Sequence, residues 1–416
     1  MTRKNVSDVS RRDVLKASGL SVVAATAGCL DTLGGGGGSG DGGPVRIGMV
    51  DSETGSLAPY GERNQRGKQI ALSAVNDVGI GGNERELEVL VEDDESTNSG
   101  GVNAAQKLVN QDQVPVLVGS VGSGVSIAIH ESVTRDSDTV QISQNSTSSE
   151  LSEYPELLRM SPSGAEKAAA LADVISEDGH DTVAVTYINN DYGAPLAEVF
   201  EEEFDGEVAY NSPHDQGQSS YRGQLTEMAD TDASAWLFLT YADEFTVMVN
   251  EAYDQGYDEA VEYYGAESTV AEEILKDTEE GSQESLKGIT ESAPQDQESY
   301  QQFIEDFESE FGQTPTVWAA YAYDAVTAAA IAVEAADEVS GSAIDSVVRD
   351  VTRPDGEAVY SFEEAKELLQ DGDASDVNYE GVSGPVDLDE NGDPPGFYQI
   401  YSVEDHEYEY GDYVTS

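Results

Sequence analysis

Short apolar runs rich in β-branched residues alternate with stretches of helical periodicity along most of the chain, an order that calls for a parallel α/β architecture. The run VRIGMV at 45–50 reads as a strand. Over 67–76, Ile70, Ala71, Ala74 and Val75 share one helical face. Strands over 87–91, 114–118 and 139–142, with helices over 104–109 and 125–133, continue the exchange. A second series opens near residue 163, with helices over 165–175, 194–204, 222–229 and 245–253. Its strands fall at 182–188, 207–210, 235–241 and 261–264. Helices over 299–311 and 318–338 follow, and β-like runs at 384–388, 396–403 and 408–410 close the chain. Two such series predict two similar lobes, each a mainly parallel sheet flanked by helices.

Charge narrows the partners. The 416 residues carry 83 acids against 20 lysines and arginines, a formal charge of −63. Nucleic acid is excluded as a partner, because phosphate backbones are held by clustered Lys and Arg. The acids are interleaved with apolar residues throughout, which resembles proteins of extreme halophiles rather than an acidic tail. Multimolar salt shrinks the screening length to about 3 Å or less and removes the self-repulsion. Cys29 is the single cysteine, so disulfides, cysteine-based zinc sites and CxxC redox chemistry are all excluded. His130, His180, His214 and His406 lie apart without ligand spacing, and no hydrolase, zinc-protease or dinucleotide motif is present. No enzyme, metal or cofactor is expected. The segment 387–393 imitates the start of a calcium loop, but Tyr398 stands where the closing Glu would be, so it reads as a hairpin turn.

The N-terminus reads as an address and a tether. Ser10-Arg11-Arg12-Asp13-Val14-Leu15-Lys16 resembles a twin-arginine export signal. The apolar run at 17–27 is too short to span a bilayer, which takes about 20 residues. It ends in Thr26-Ala27-Gly28-Cys29, which resembles a lipoprotein processing site that lipidates Cys29. Cleavage there removes five basic and two acidic residues and takes the charge from −63 to −66. Residues 29–43 are glycine-rich and read as a flexible tether, roughly 20 Å long on average.

The folded part resembles the solute-binding proteins of ABC transporters for branched-chain amino acids (leucine/isoleucine/valine type). The resemblance is carried by Val45-Arg46-Ile47-Gly48, Thr54-Gly55, Pro59-Tyr60-Gly61 and Arg66-Gly67 near the start. Glu92-Asp93-Asp94, Gly119-Ser120, Asn190-Asp191-Tyr192-Gly193 and the run 318–325 (WAAYAYDA) continue it in order. It implies a type I periplasmic binding protein-like fold, two lobes joined by a three-crossing hinge. By position, lobe one covers 44–162 plus 294–381, and lobe two 163–293 plus 382–416. It also implies a lipid-anchored protein on the outer face of the membrane, expected as a monomer, that delivers an amino acid-like ligand to an ABC permease. A branched-chain amino acid comes first. A ligand-sensing receptor domain, or a binder of amides, urea or small carboxylates, stays open.

A zwitterionic ligand needs donors for its carboxylate, an acid for its ammonium and apolar walls. Ser123, in the Gly-rich loop 119–124, and Thr147 with its neighbour Ser146, in the loop 143–147, match the family's carboxylate-binding positions. Ser123 could equally cap a helix, and Thr147 could belong to an ordinary polar loop. Gln144 and Asn145 depart from the family pattern. Glu267 matches the acid that meets the ammonium, against the alternative of one more surface acid. Tyr60, Tyr192 and Tyr241 match aromatic positions lining the cleft.

Overall fold

The computed structural model describes residues 43–414. Cys29, the twin-arginine motif and the tether lie outside the described residues. Two sheets form separate layers. The first contains β1 (Val45–Asp51), β2 (Leu87–Asp93), β3 (Val116–Val118), β4 (Val140–Ser143) and β5 (Leu157–Arg159), in the order β2-β1-β3-β4-β5 and parallel throughout. Helices α1 (Ala58–Val78), α2 (Asn98–Asn110) and α3 (Ser123–Ile129) connect them.

The chain then builds the second sheet from β6 (Thr182–Ile188), β7 (Glu207–His214), β8 (Ala235–Leu239), β9 (Glu262–Gly265) and β10 (Leu286–Glu291). Helices α4 (Gly164–Glu177), α5 (Gly193–Glu203), α6 (Arg222–Ala229), α7 (Ala242–Asp254) and α8 (Glu272–Asp277) intervene. It returns to the first lobe for α9 (Glu298–Phe311), α10 (Val317–Ala335), α11 (Gly341–Val348), α12 (Phe362–Leu369) and the small ladder β11 (Glu357–Val359) with β12 (Val377–Tyr379). A final hairpin, β13 (Tyr398–Glu404) and β14 (Glu407–Val414), joins the second sheet antiparallel to β10. Asp405 and His406, both at positive φ (51° and 63°), make its two-residue turn. The chain therefore passes between the sheets three times.

The alanine-rich α10 is buried on every side, as a helix apolar all round must be. Its small residues let α1 come close. A Cβ on Gly67 would stand 2.0 Å from the carbonyl oxygen of Ala319, so only glycine permits this contact. Asp324 of α10 accepts hydrogen bonds from Tyr379 Oη (2.6 Å) and the amides of Val382 and Ser383 (both 2.9 Å). That anchor keeps Val382, Val386 and Leu388 in the first lobe's core. The last passage to lobe two therefore follows Leu388, rather than falling at 382. Residues 384–388 are not a strand either, so 387–393 forms an Asx-type loop instead of a hairpin: Asp389 Oδ1 accepts from the amides of Asn391 (2.8 Å) and Asp393 (3.0 Å). Strands β5 and β10 and helices α8, α11 and α12 carry signals too short, or too interrupted by Gly and charge, to stand out in the sequence.

Among the described residues, no helix is long and apolar enough to cross a membrane.

Candidate functional site

The carboxyl ends of the parallel strands of both sheets face one cleft, where ligands of open α/β sheets gather. Its inner cavity, about 50 Å³, is lined from lobe one by Leu57, Tyr60, Val121, Gly122, Ser123, Asn145, Thr147 and Trp318. Lobe two supplies Tyr192, Tyr241, Glu267 and Ser268. Six of the seven positions expected from sequence thus meet at one cavity. Ser146 does not line it. Its hydroxyl lies 2.8 Å from Ser126 Oγ beneath the loop, so it supports the loop rather than facing the cavity.

Lobe one presents hydroxyls and helix-start amides. Gly122, not Ser123, is the N-cap of α3, which leaves Ser123 as its first helical residue. Ser123 Oγ accepts from the amide of Ser148 at 3.3 Å and so ties the two loops together. Arg159, fully buried, donates to the carbonyl oxygens of Ser146 (3.4 Å) and Ser148 (2.8 Å) and pairs with Asp393 at 2.7 Å. It fixes the loop that carries Thr147. Asn145, which departs from the family pattern, accepts through Oδ1 from Asn64 Nδ2 at 2.8 Å.

Lobe two presents rings and charge. Tyr192 and Tyr241 stack with centroids 5.2 Å apart. Tyr192 Oη lies 2.8 Å from Ser268 Oγ, and Tyr241 Oη accepts from Asn190 Nδ2 at 3.2 Å. The lobes touch here. Tyr60 Oη donates to the Ser268 carbonyl and accepts from the Ala242 amide, both at 3.3 Å. A Cβ on Gly124 would meet the Asp191 carboxylate of the other lobe at 2.4 Å, so glycine lets the lobes close there. Burial pushes the Tyr60 hydroxyl up to about 12, and the tyrosines act as neutral partners.

A buried lysine holds Glu267. Its carboxylate accepts from Lys167 Nζ, and the same ammonium donates to Glu291 Oε1 at 2.7 Å. Lys167 and Glu291 side chains are wholly buried, and Glu267 is 9% exposed. Burial opposes the lysine's charge, but two carboxylates outweigh it and raise its pKa. Burial, with the neighbouring Glu267, pushes the Glu291 carboxyl up to about 7, although Lys167 opposes the shift. With Glu291 ionised, one ammonium against two carboxylates leaves a net negative charge at the cavity wall; with its carboxyl protonated the triad is neutral. Lys167 was findable: it sits on the buried stripe of α4 with Ala168, Leu171 and Ile175, in a chain with only 20 basic residues.

A family model described as periplasmic binding protein matches residues 44–401. The substrate-binding protein BasB of a chemotactic signal transduction system in Halobacterium salinarum is 22% identical over 385 residues, 87% of each chain. The fold resembles the substrate-binding protein LivJ of a branched-chain amino acid transporter from Streptococcus pneumoniae, solved with isoleucine (TM-score 0.76, 22% identity, 89% of this chain and 99% of that one). It also resembles an ABC-transporter solute-binding protein from R. palustris solved with benzoate (TM-score 0.71, 18% identity, 88% of this chain and 95% of that one).

Proposed function

This chain belongs to the periplasmic binding protein family, and from that premise we propose that it captures a small zwitterionic amino acid between its lobes and releases it unchanged. One observation carries the reading: Ser123 and Thr147 of lobe one and Glu267 of lobe two line a single aromatic-walled cavity. Ser123, Thr147 and neighbouring backbone N–H groups hold the ligand carboxylate. Glu267 meets the ammonium once the lobes close. Leu57, Val121, Trp318 and the tyrosine rings surround the side chain, for which a branched-chain amino acid is the first candidate. Closure then couples affinity to shape, because one ligand bridges two bodies.

The delivery half of the proposal rests on sequence. Twin-arginine export and a lipid on Cys29 place the lobes outside the membrane, on a tether, in reach of an ABC permease. Delivery to a sensor instead is a second reading, favoured by the chemotactic relative.

The ammonium requirement is the test. Titrate the chain in multimolar salt with L-leucine and with 4-methylpentanoate, the same skeleton without the amine. A charge-assisted contact contributes roughly 1.5–3 kcal/mol, so leucine binds at least ~10-fold tighter. A carboxylate lacking the amine that binds as well would assign the site to simple acids, as in the benzoate-bound structure.

A further inference from the structure

Glu267 and Trp318 are shared walls. On one side lies the cavity of about 50 Å³ described above, and on the other a hollow of about 450 Å³. Ligand sites usually measure about 300–1,000 Å³, so the hollow is in that range and the inner cavity is well below it. Thr290, Glu291 and Ser292 at the end of β10, Tyr300 of α9, Thr316 before α10 and Tyr410 of β14 help to line the hollow.

Glu291 is the informative residue. Its side chain is fully buried, Oε1 accepts from Lys167, and Oε2 has no hydrogen-bond donor among the described residues. A buried carboxylate oxygen without a donor is an uncommon expense in a folded protein and calls for a missing partner. The local charge says which partner. Lys167 answers two carboxylates with one ammonium, so a cation restores balance, an anion is repelled, and a neutral amide fills the hydrogen bond while leaving the charge.

We propose that the outer hollow is a subsite for a cationic group at the far end of the ligand's side chain, so that the protein takes basic amino acids. The head group occupies the inner cavity, the chain passes Trp318, and the terminal ammonium donates to Glu291 Oε2. This rests on the amino-acid reading above.

L-lysine and L-norleucine share a carbon chain and differ in the terminal amine, which makes them the probes, with L-leucine as the reference. Calorimetry on the mature chain in multimolar salt should show lysine bound at least ~10-fold tighter than norleucine. Glu291→Gln should bring that ratio close to one. Gln295→Trp, at an exposed position in the hollow's lining, fills the space without touching the buried triad. It should abolish lysine binding and spare leucine, and it decides the matter if Glu291→Gln fails to fold. Leucine binding with no lysine preference in the parent, or a preference that survives both variants, overturns the subsite and leaves the amino-acid reading intact. Failure of all three amino acids to bind overturns both.

Discussion

Among the described residues each lobe buries one lysine, and the two are paired differently. Lys68 of α1 meets one carboxylate, Asp51 at the end of β1, at 2.8 Å, with side chains 3% and 0% exposed. The nearby Asp94 is occupied elsewhere, accepting from the Ser96 amide at 2.7 Å and from Ser120 Oγ. Lys167 of α4 meets two carboxylates at once, one of which, Glu267, faces the cleft. A buried pair that lines no cleft fixes a helix on a sheet and offers nothing to a ligand. An unbalanced triad does both: it orients Glu267 and leaves negative charge where a ligand cation can use it.

Removing each lysine is the harshest way to break that comparison. Lys167→Met strands two buried carboxylates and should cost about 3–5 kcal/mol, the range for stripping one partner from a buried ion pair. Lys68→Met strands one, so its loss should be smaller. Chemical denaturation in multimolar salt measures both. Equal losses, or a larger one for Lys68, would erase the distinction between the lobes.

A smaller effect sharpens it through pH. In lobe two the His214 ring lies between Thr186 Oγ1 (3.0 Å) and Thr240 Oγ1 (2.8 Å), and burial pushes its pKa down to about 4. The folded state therefore resists the proton that the unfolded chain takes up near pH 6.5. Stability contributed by the neutral ring is full above about pH 6.5 and falls as the pH drops toward 4, by at most about 3 kcal/mol. Glu291, with its raised pKa, acts in the opposite sense over 4.5–7, so the parent curve mixes the two. His214→Gln isolates the histidine: the parent-minus-variant difference should shrink on acidification. A difference that stays flat between pH 7 and pH 4 would show that His214 is charged in the fold.

The layered βα order was legible because strands such as β6 and helices such as α4 are long, regular and cleanly bounded. Six cavity residues were legible for a different reason: each follows a strand end or opens a helix, where a family motif can be matched. Charge partners were not. Lys167 and Glu291 lie 124 positions apart, and β10, with Lys287 and Gly288 inside it, does not read as a strand. Trp318 stood in a quoted motif without a role, because only the packing of α10 against the cleft gives it one. Ser146 erred the other way: a loop position was right and its side chain's direction was wrong, since a one-residue step decides whether a hydroxyl faces the cavity or Ser126.

The most direct test of the account is the affinity of Glu267→Gln for L-leucine, measured by calorimetry in multimolar salt beside the parent and Ser123→Ala. Gln keeps the shape and a hydrogen-bond acceptor, and Lys167 keeps Glu291, so the charge facing the ligand ammonium is what changes. The account predicts a loss of about 10- to 100-fold for Glu267→Gln at 1.4 kcal/mol per decade, with a smaller loss for Ser123→Ala because backbone donors remain. Leucine bound by Glu267→Gln as tightly as by the parent would contradict it and reduce Glu267 to the counter-ion of Lys167.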